Sequence, residues 1–211
     1  EYILNDQIKR INLEKSEFKG NFIAKNYSRI RNLRRVIRKE KPDVSIAFMA
    51  ENNFRLIIAA LGKPTKTIVS VRNDPAKEYP SRMKKAIAEL LYKKTDSIVF
   101  QTEDAKAAFS TQIQKKSRII FNQVDESFFF DNNDEGEYIV ACGRLSKQKN
   151  YPMMLRAFSE VLKEYPEEQL LIYGEGDLKE ELISLTEEIG ISESVHFMGF
   201  STNMVEVYRK A

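Results

Sequence analysis

Two cations of this chain stand where chemistry on a phosphate could be done. An apolar run, Ile139 to Cys142, ends at Gly143; Arg144 follows at once and Lys149 comes five residues later, just before a helix-like pattern that opens at Tyr151-Pro152. A strand, a tight turn and a helix start favour an anion through backbone N–H groups and the helix dipole. A guanidinium and an ammonium fixed beside them can clamp diphosphate oxygens. The same spacing also fits an ordinary strand-to-helix loop with solvated cations, because basic loops are common.

Two further glycine turns join the first. Gly174-Glu175-Gly176 follows the strand pattern 169–173, and Gly199 closes the strand pattern 195–198. Open parallel sheets bind ligands at the carboxyl ends of their strands. Glycine serves there where the chain turns sharply or approaches a ligand. Tight loop geometry alone accounts for the three glycine turns equally well.

The elements that must position these turns are legible from periodicity. Ile30, Leu33 and Ile37 recur at helical spacing over residues 27–40, with arginines at 29, 31, 34, 35 and 38 and Pro42 as the stop. Strands are expected at 44–49, 67–71, 97–101 and 118–121, and helices at 54–61, 82–94 and 103–112. Met83, Ile87, Leu90 and Leu91 are expected on the inner face of the 82–94 helix. After a polar stretch, the pattern resumes with strand 139–142, helix 152–165, strand 169–173, helix 178–189 and strand 195–198. Alternating strands and helices argue for parallel β-α-β units and an α/β fold. Domain assignment from the polar break is 1–128, a linker at 129–136, and 137–211.

Charge is divided along the same line. Residues 1–130 hold 26 Lys and Arg against 15 Asp and Glu, a net +11, whereas residues 131–211 hold 8 against 16, a net −8. The basic half suits an anionic membrane or a phosphorylated acceptor. Nucleic acid is not expected, because no arginine-rich recognition helix with stacking aromatics is present. No apolar run approaches the length of a membrane span, and residues 1–6 show no signal-peptide pattern. A single cysteine, Cys142, excludes an internal disulfide framework and fits a reducing cytosol, and with one histidine a zinc site is not expected. His196 reads as a surface histidine on a strand and Cys142 as buried and inert.

Taken in order, Gly143-Arg144-Leu145, Lys149-Asn150, Ala157-Phe158, Gly174-Glu175-Gly176 and Val195-His196-Phe197-Met198-Gly199 resemble the nucleotide-sugar domain of retaining glycosyltransferases of family 4, the group 1 class. The first half agrees: Lys41-Pro42-Asp43-Val44 is similar to that family's lead into a strand. Ser70-Val71-Arg72-Asn73-Asp74-Pro75 resembles a loop of a bacterial branch that adds hexoses or N-acetylhexosamines to lipid-linked glycans. Asn122 and Asp125 resemble the segment that precedes the interdomain linker. The resemblance covers nearly all of 27–211.

This resemblance implies two facing Rossmann-like domains (GT-B), both incomplete in this chain: 1–128 on the acceptor side and 137–211 binding the nucleotide sugar. It implies transfer of a sugar, with retention, from a nucleotide diphosphate donor, UDP above all, to a saccharide or lipid-linked acceptor in bacterial polysaccharide or glycan synthesis. Arg144 would bind the diphosphate and Lys149 neutralise the departing group, as catalytic residues. Gly143, Asn150, Gly174 and Gly176 would shape the donor pocket, and Phe197, Met198 and Gly199 would face the base, although alternating apolar residues on a strand also fit a core. Ser70, Arg72 and Asn73 would line the cleft, Arg72 reaching the donor or else pairing with Asp74 or Asp104. No cofactor or metal is implied, and the place is cytoplasmic, peripheral at the inner face of the membrane.

The departures are Gln123 in place of proline, Arg72 near a usual histidine, a start after the family's glycine-rich opening loop, and an end before its pair of glutamates. Unaided catalysis by residues 1–211 is therefore not expected. A non-catalytic nucleotide- or glycan-binding module on the same scaffold is the alternative.

Overall fold

The computed structural model describes residues 5–13, 21–130 and 136–211. Its chain separates into two units, Glu1–Gln123 and Val124–Ala211. The division falls before residue 128, and the expected linker lies for the most part outside the described residues.

Unit 1 opens with helix α1, Phe22–Glu40, whose N-terminus is capped by Asn21 accepting from the Ala24 N–H. Strand β1 (Val44–Phe48) leads into α2 (Ala50–Ala60), and β2 (Lys66–Ser70) into a short α3 (Pro75–Glu78) and then α4 (Arg82–Tyr92). Strand β3 (Ser97–Phe100) is followed by α5 (Glu103–Ala107), α6 (Thr111–Lys115) and β4 (Ser117–Ile119). The four strands lie parallel in the order β1-β2-β3-β4. Val69, Ile98 and Phe100 are fully buried in this sheet, with Leu56 and Ala59 of α2 and Tyr92 of α4 against them. Arg34 of α1 donates to the carbonyls of Ala59 and Leu61, both at 2.9 Å, and so caps the C-terminal end of α2 rather than standing free in solvent.

Two expectations fail here for tertiary reasons. The helix foreseen over 103–112 is broken, because Ser110 gives its N–H and its hydroxyl to Glu89 of α4 at 2.9 and 2.7 Å while Phe109 is drawn into the core. The inner face of α4 is also not the one foreseen. Ala88 and Tyr92 are buried, whereas Met83, Ile87 and Leu90 are 71%, 45% and 62% exposed; Leu91 is half-buried. Tyr92 takes the inward position because its ring packs among Phe54, Tyr79 and Phe109, and its hydroxyl meets that of Tyr79 at 2.7 Å. Burying these aromatics outweighs burying the thinner aliphatic stripe.

Unit 2 contains β5 (Ile139–Cys142), α7 (Tyr151–Val161), β6 (Leu170–Tyr173), α8 (Lys179–Glu188), β7 (Val195–Gly199) and α9 (Met204–Arg209). Its strands are parallel in the order β5-β6-β7. Leu155 and Phe158 of α7, Leu170 and Ile172 of β6 and Leu182 of α8 form the core. Among the described residues no helix is long and apolar enough to cross a membrane.

Candidate functional site

The three glycine turns of unit 2 lie side by side at the carboxyl edge of its sheet, stitched backbone to backbone. The Gly143 N–H donates to the Tyr173 carbonyl at 2.9 Å, and the Gly174 N–H to the Gly199 carbonyl at 2.8 Å. Beyond them the Leu145 N–H donates to the Glu175 carbonyl at 3.0 Å, and the Leu178 N–H to the Leu145 carbonyl at 3.2 Å. The approach leaves no room for side chains: a β-carbon on Gly174 would lie 2.0 Å from the Gly143 oxygen, and one on Gly176 2.3 Å from the Leu145 oxygen. Gly174 also has φ +144°, a backbone region that side chains rarely tolerate. The glycines therefore let two loops share one backbone layer.

Leu145 is fully buried and roots the first loop, while its neighbour Arg144 is exposed. Tyr151, the first residue of α7, donates its hydroxyl to the Gly143 carbonyl at 3.0 Å. Burial of the Tyr151 ring holds its phenol above the ordinary tyrosine range. Sequence reasoning did not single out either residue. An apolar side chain inside an otherwise polar turn was the available signal for Leu145; the Tyr151 contact has no local signature.

Lys149 folds back over Gly143, with its Cε 3.3 Å from where a β-carbon of Gly143 would stand. Neither the Arg144 guanidinium nor the Lys149 ammonium has a hydrogen-bond or ion-pair partner among the described residues. Asn150 adopts the left-handed conformation, φ 52°, and leads into α7 without a side-chain cap on the helix N-terminus. Two exposed cations thus flank a low backbone platform beside an uncapped helix start, an arrangement that can hold an anion. Gly199 closes the platform, with Glu175 Oε1 3.0 Å from its would-be β-carbon and the Glu175 carboxylate 3.6 Å from Lys179. Phe197 is half-buried and packs against the core of unit 2, whereas Met198 is exposed. His196 pairs with Gln169 at 2.7 Å on the strand surface, and Cys142 is half-buried rather than buried.

Unit 1 has its own gathering of sequence-selected residues. Arg72 donates to Asn122 Oδ1 at 2.5 Å, and Gln101 donates to the same oxygen at 2.5 Å. Arg72 therefore pairs with neither Asp74 nor Asp104; its guanidinium lies 5.7 Å from the centre of the Phe48 ring. A neutral amide that also receives Gln101 holds Arg72 in place, a partner that charge alone would not single out. Asn73 donates to Glu78 Oε1 at 3.3 Å. Ser70 is buried, its carbonyl accepting from Asn53 Nδ2 at 2.8 Å and from the Met49 N–H at 3.3 Å. Arg72, Asn73, Asp74, Gln101 and Thr102 line a cavity of about 460 Å³ at the carboxyl ends of β2 and β3.

Residues 123–211, which contain the whole platform, match the family model described as glycosyl transferases group 1. That segment is similar to the group 1 glycosyltransferases. Two Campylobacter jejuni proteins are similar over more than that segment. One, named N-acetylgalactosamine-N,N'-diacetylbacillosaminyl-diphospho-undecaprenol 4-alpha-N-acetylgalactosaminyltransferase, is 29% identical over 76% of this chain and 47% of its own length. The other, named GalNAc-alpha-(1->4)-GalNAc-alpha-(1->3)-diNAcBac-PP-undecaprenol alpha-1,4-N-acetyl-D-galactosaminyltransferase, is 27% identical over 100% of this chain and 59% of its own length. The chain thus spans about half the length of the curated relatives it matches.

The crystal structure of Anabaena HepE in complex with UDP and glucose matches with a TM-score of 0.70 at 15% identity, over 86% of this chain and 54% of that one. At that identity the likeness concerns the fold, and it extends over both units. The two units are of the GT-B class of fold, with a Rossmann-like parallel sheet in each.

Proposed function

We propose that this chain is the nucleotide-sugar-binding portion, with part of the acceptor side, of a retaining family 4 glycosyltransferase. The donor is a UDP-sugar and the acceptor a saccharide or lipid-linked glycan of bacterial polysaccharide synthesis. The observation that carries the reading is the pair of exposed, unpartnered cations, Arg144 and Lys149, over the glycine platform of a segment similar to the group 1 glycosyltransferases. Arg144 presents a planar fork suited to two phosphate oxygens. Lys149, held low over Gly143, neutralises charge that builds on the departing nucleoside diphosphate, a stabilisation that is often the largest catalytic contribution. Two fixed cations supply this without a metal ion. Gly143, Gly174, Gly176 and Gly199 keep side chains away from the diphosphate, Asn150 opens the helix behind it, and Phe197 and Met198 border the base. Ser70, Arg72 and Asn73 serve the sugar or the acceptor from unit 1. The names of the Campylobacter relatives support a lipid-linked acceptor, and the UDP and glucose of the HepE complex support the donor class.

The test is calorimetric titration of the chain with UDP. Arg144→Ala and Lys149→Ala each weaken binding by at least about tenfold, roughly 1.4 kcal/mol. Thermal stability stays unchanged, because both side chains are exposed and unpartnered. Undiminished UDP affinity in both variants, or no affinity for any nucleoside diphosphate in the parent chain, refutes the assignment.

A further inference from the structure

The connections that lead from helix to strand gather at the amino edge of each sheet, and in the two units they carry opposite charge. Those of unit 1, residues 41–43, 61–65, 93–96 and 116, hold Lys41, Lys63, Lys93, Lys94 and Lys116 against Asp43 and Asp96. Those of unit 2, residues 162–169 and 189–194, hold Glu164, Glu167, Glu168 and Glu193 against Lys163, and Lys163 is paired with Glu160 at 2.6 Å. The helix dipole favours cations at helix C-termini, so the basic edge has a local explanation; carboxylates there are disfavoured. Yet Glu164 lies just past α7, and Glu187 and Glu188 end α8, and neither helix has a basic residue in its last turn. None of these glutamates of unit 2 but Glu160 has an ion-pair partner among the described residues.

The basic edge also holds a receptacle. A cavity of about 290 Å³ opens there, lined by the buried Ile57 and Ala60, by Pro64, and by Lys63, Lys66 and Lys94. Lys66 is engaged by Asp96 at 3.3 Å, but neither the Lys63 nor the Lys94 ammonium has an ion-pair partner among the described residues. Desolvation and the nearby Arg38 and Arg34 hold Lys63 below the ordinary lysine range, a positive excess that an arriving carboxylate relieves. The volume lies below the roughly 300–1,000 Å³ of small-molecule pockets and suits a single aromatic side chain. The acidic edge offers one. Tyr165 is 59% exposed, and its side chain has no ring contact or hydrogen bond among the described residues. It stands on a short turn, flanked by Glu164 and Glu167, that is fixed by Pro166 and by the Glu168 N–H donating to the Tyr165 carbonyl at 3.3 Å.

We propose that Tyr165 of one copy of this chain enters the lysine-lined cavity of unit 1 of a second copy, where Glu164, Glu167 and Glu168 meet Lys63 and Lys94. Tyrosine suits such an anchor, because its ring buries apolar area while its hydroxyl takes a polar partner. The contact is head-to-tail. Every copy carries both halves, so copies add in series and either close into a ring or extend as a chain. Pairing of like edges is opposed by repulsion between like charges. The inference is independent of the donor-site reading, because no residue of the glycine platform enters it.

Sedimentation equilibrium of the chain over a series of concentrations tests it. The weight-average mass rises with concentration and falls back as salt rises, since the Debye length drops to about 3 Å at molar salt. One double variant, Tyr165→Ser with Glu167→Lys, removes the acidic half; another, Lys63→Glu with Lys94→Glu, removes the basic half. Each weakens self-association at least about tenfold while the far-ultraviolet spectrum and melting temperature hold. The decisive arm mixes the two. Each double variant alone is monomeric, whereas an equimolar mixture retains one intact contact and forms a dimer that grows no further. A parent chain that stays monomeric at every concentration, or self-association that survives in both double variants, overturns the proposal. So does a mixture that remains monomeric.

Discussion

Replacing Gly174 by alanine tests whether the glycine platform is a packing requirement or a set of ordinary turns. Two costs follow from the structure. At φ +144° a side-chain-bearing residue is strained, by about 1–3 kcal/mol. The new β-carbon would also lie 2.0 Å from the Gly143 oxygen, far inside van der Waals contact, and that atom is backbone rather than a movable side-chain tip. Relief requires the β5 and β6 loops to part, which removes the hydrogen bonds from Gly143 to Tyr173 and from Gly174 to Gly199, about 1 kcal/mol each. The sum is about 3–5 kcal/mol, a large share of the stability of a small unit. Gly190 provides the internal control. Its φ is +74°, but nothing lies within 4 Å of a β-carbon there, so Gly190→Ala costs only the left-handed backbone penalty of about 1–2 kcal/mol. Urea denaturation, with amide exchange at Leu170 and Ile172 to report unit 2, measures both variants. If the two alanines destabilise unit 2 to within about 1 kcal/mol of each other, crowding between the loops is not what those glycines relieve.

Two titrations give further checks. Asp96 accepts hydrogen bonds from the Thr67 N–H and hydroxyl and meets Lys66 at 3.3 Å, which holds its carboxyl below the ordinary range. A depressed native pKa contributes stability that is complete above the unfolded value near about pH 4 and is lost as pH falls through the native one. Asp96→Asn should flatten the acid limb of the stability curve, and an unchanged limb counts against that role. Tyr208, beside the Cys142 thiol and partly desolvated, has its phenol pushed up to about 12. Its contribution is present below about pH 10 and is lost as pH rises through the native value. Tyr208→Phe should remove a step near about pH 12 from the ultraviolet titration of ionised tyrosine, and persistence of that step would exclude Tyr208 as its source.

Much of the candidate site could be read in one dimension because its parts are local. Gly143, Arg144 and Lys149 share one strand-to-helix turn, and turn chemistry depends on neighbours in sequence. Gly174 and Gly199 were legible as strand ends for the same reason. That the glycines serve contact between loops could not be read, since the atoms they make room for belong to residues about thirty positions away in the chain. The Arg72–Asn122 hydrogen bond was equally hidden: charge pointed to Asp74 and Asp104, and an amide fifty residues on took their place.

The alternation of strands and helices, the division into a basic and an acidic part, and the order of the glycine turns were determined by the sequence alone, because periodicity and composition are properties of short windows. Tertiary structure alone decided which side of α4 faces the core. A helix with two competing apolar faces has no local reason to choose, and the choice fell to Phe54, Tyr79 and Phe109, whose rings enclose Tyr92 and leave Met83, Ile87 and Leu90 outside.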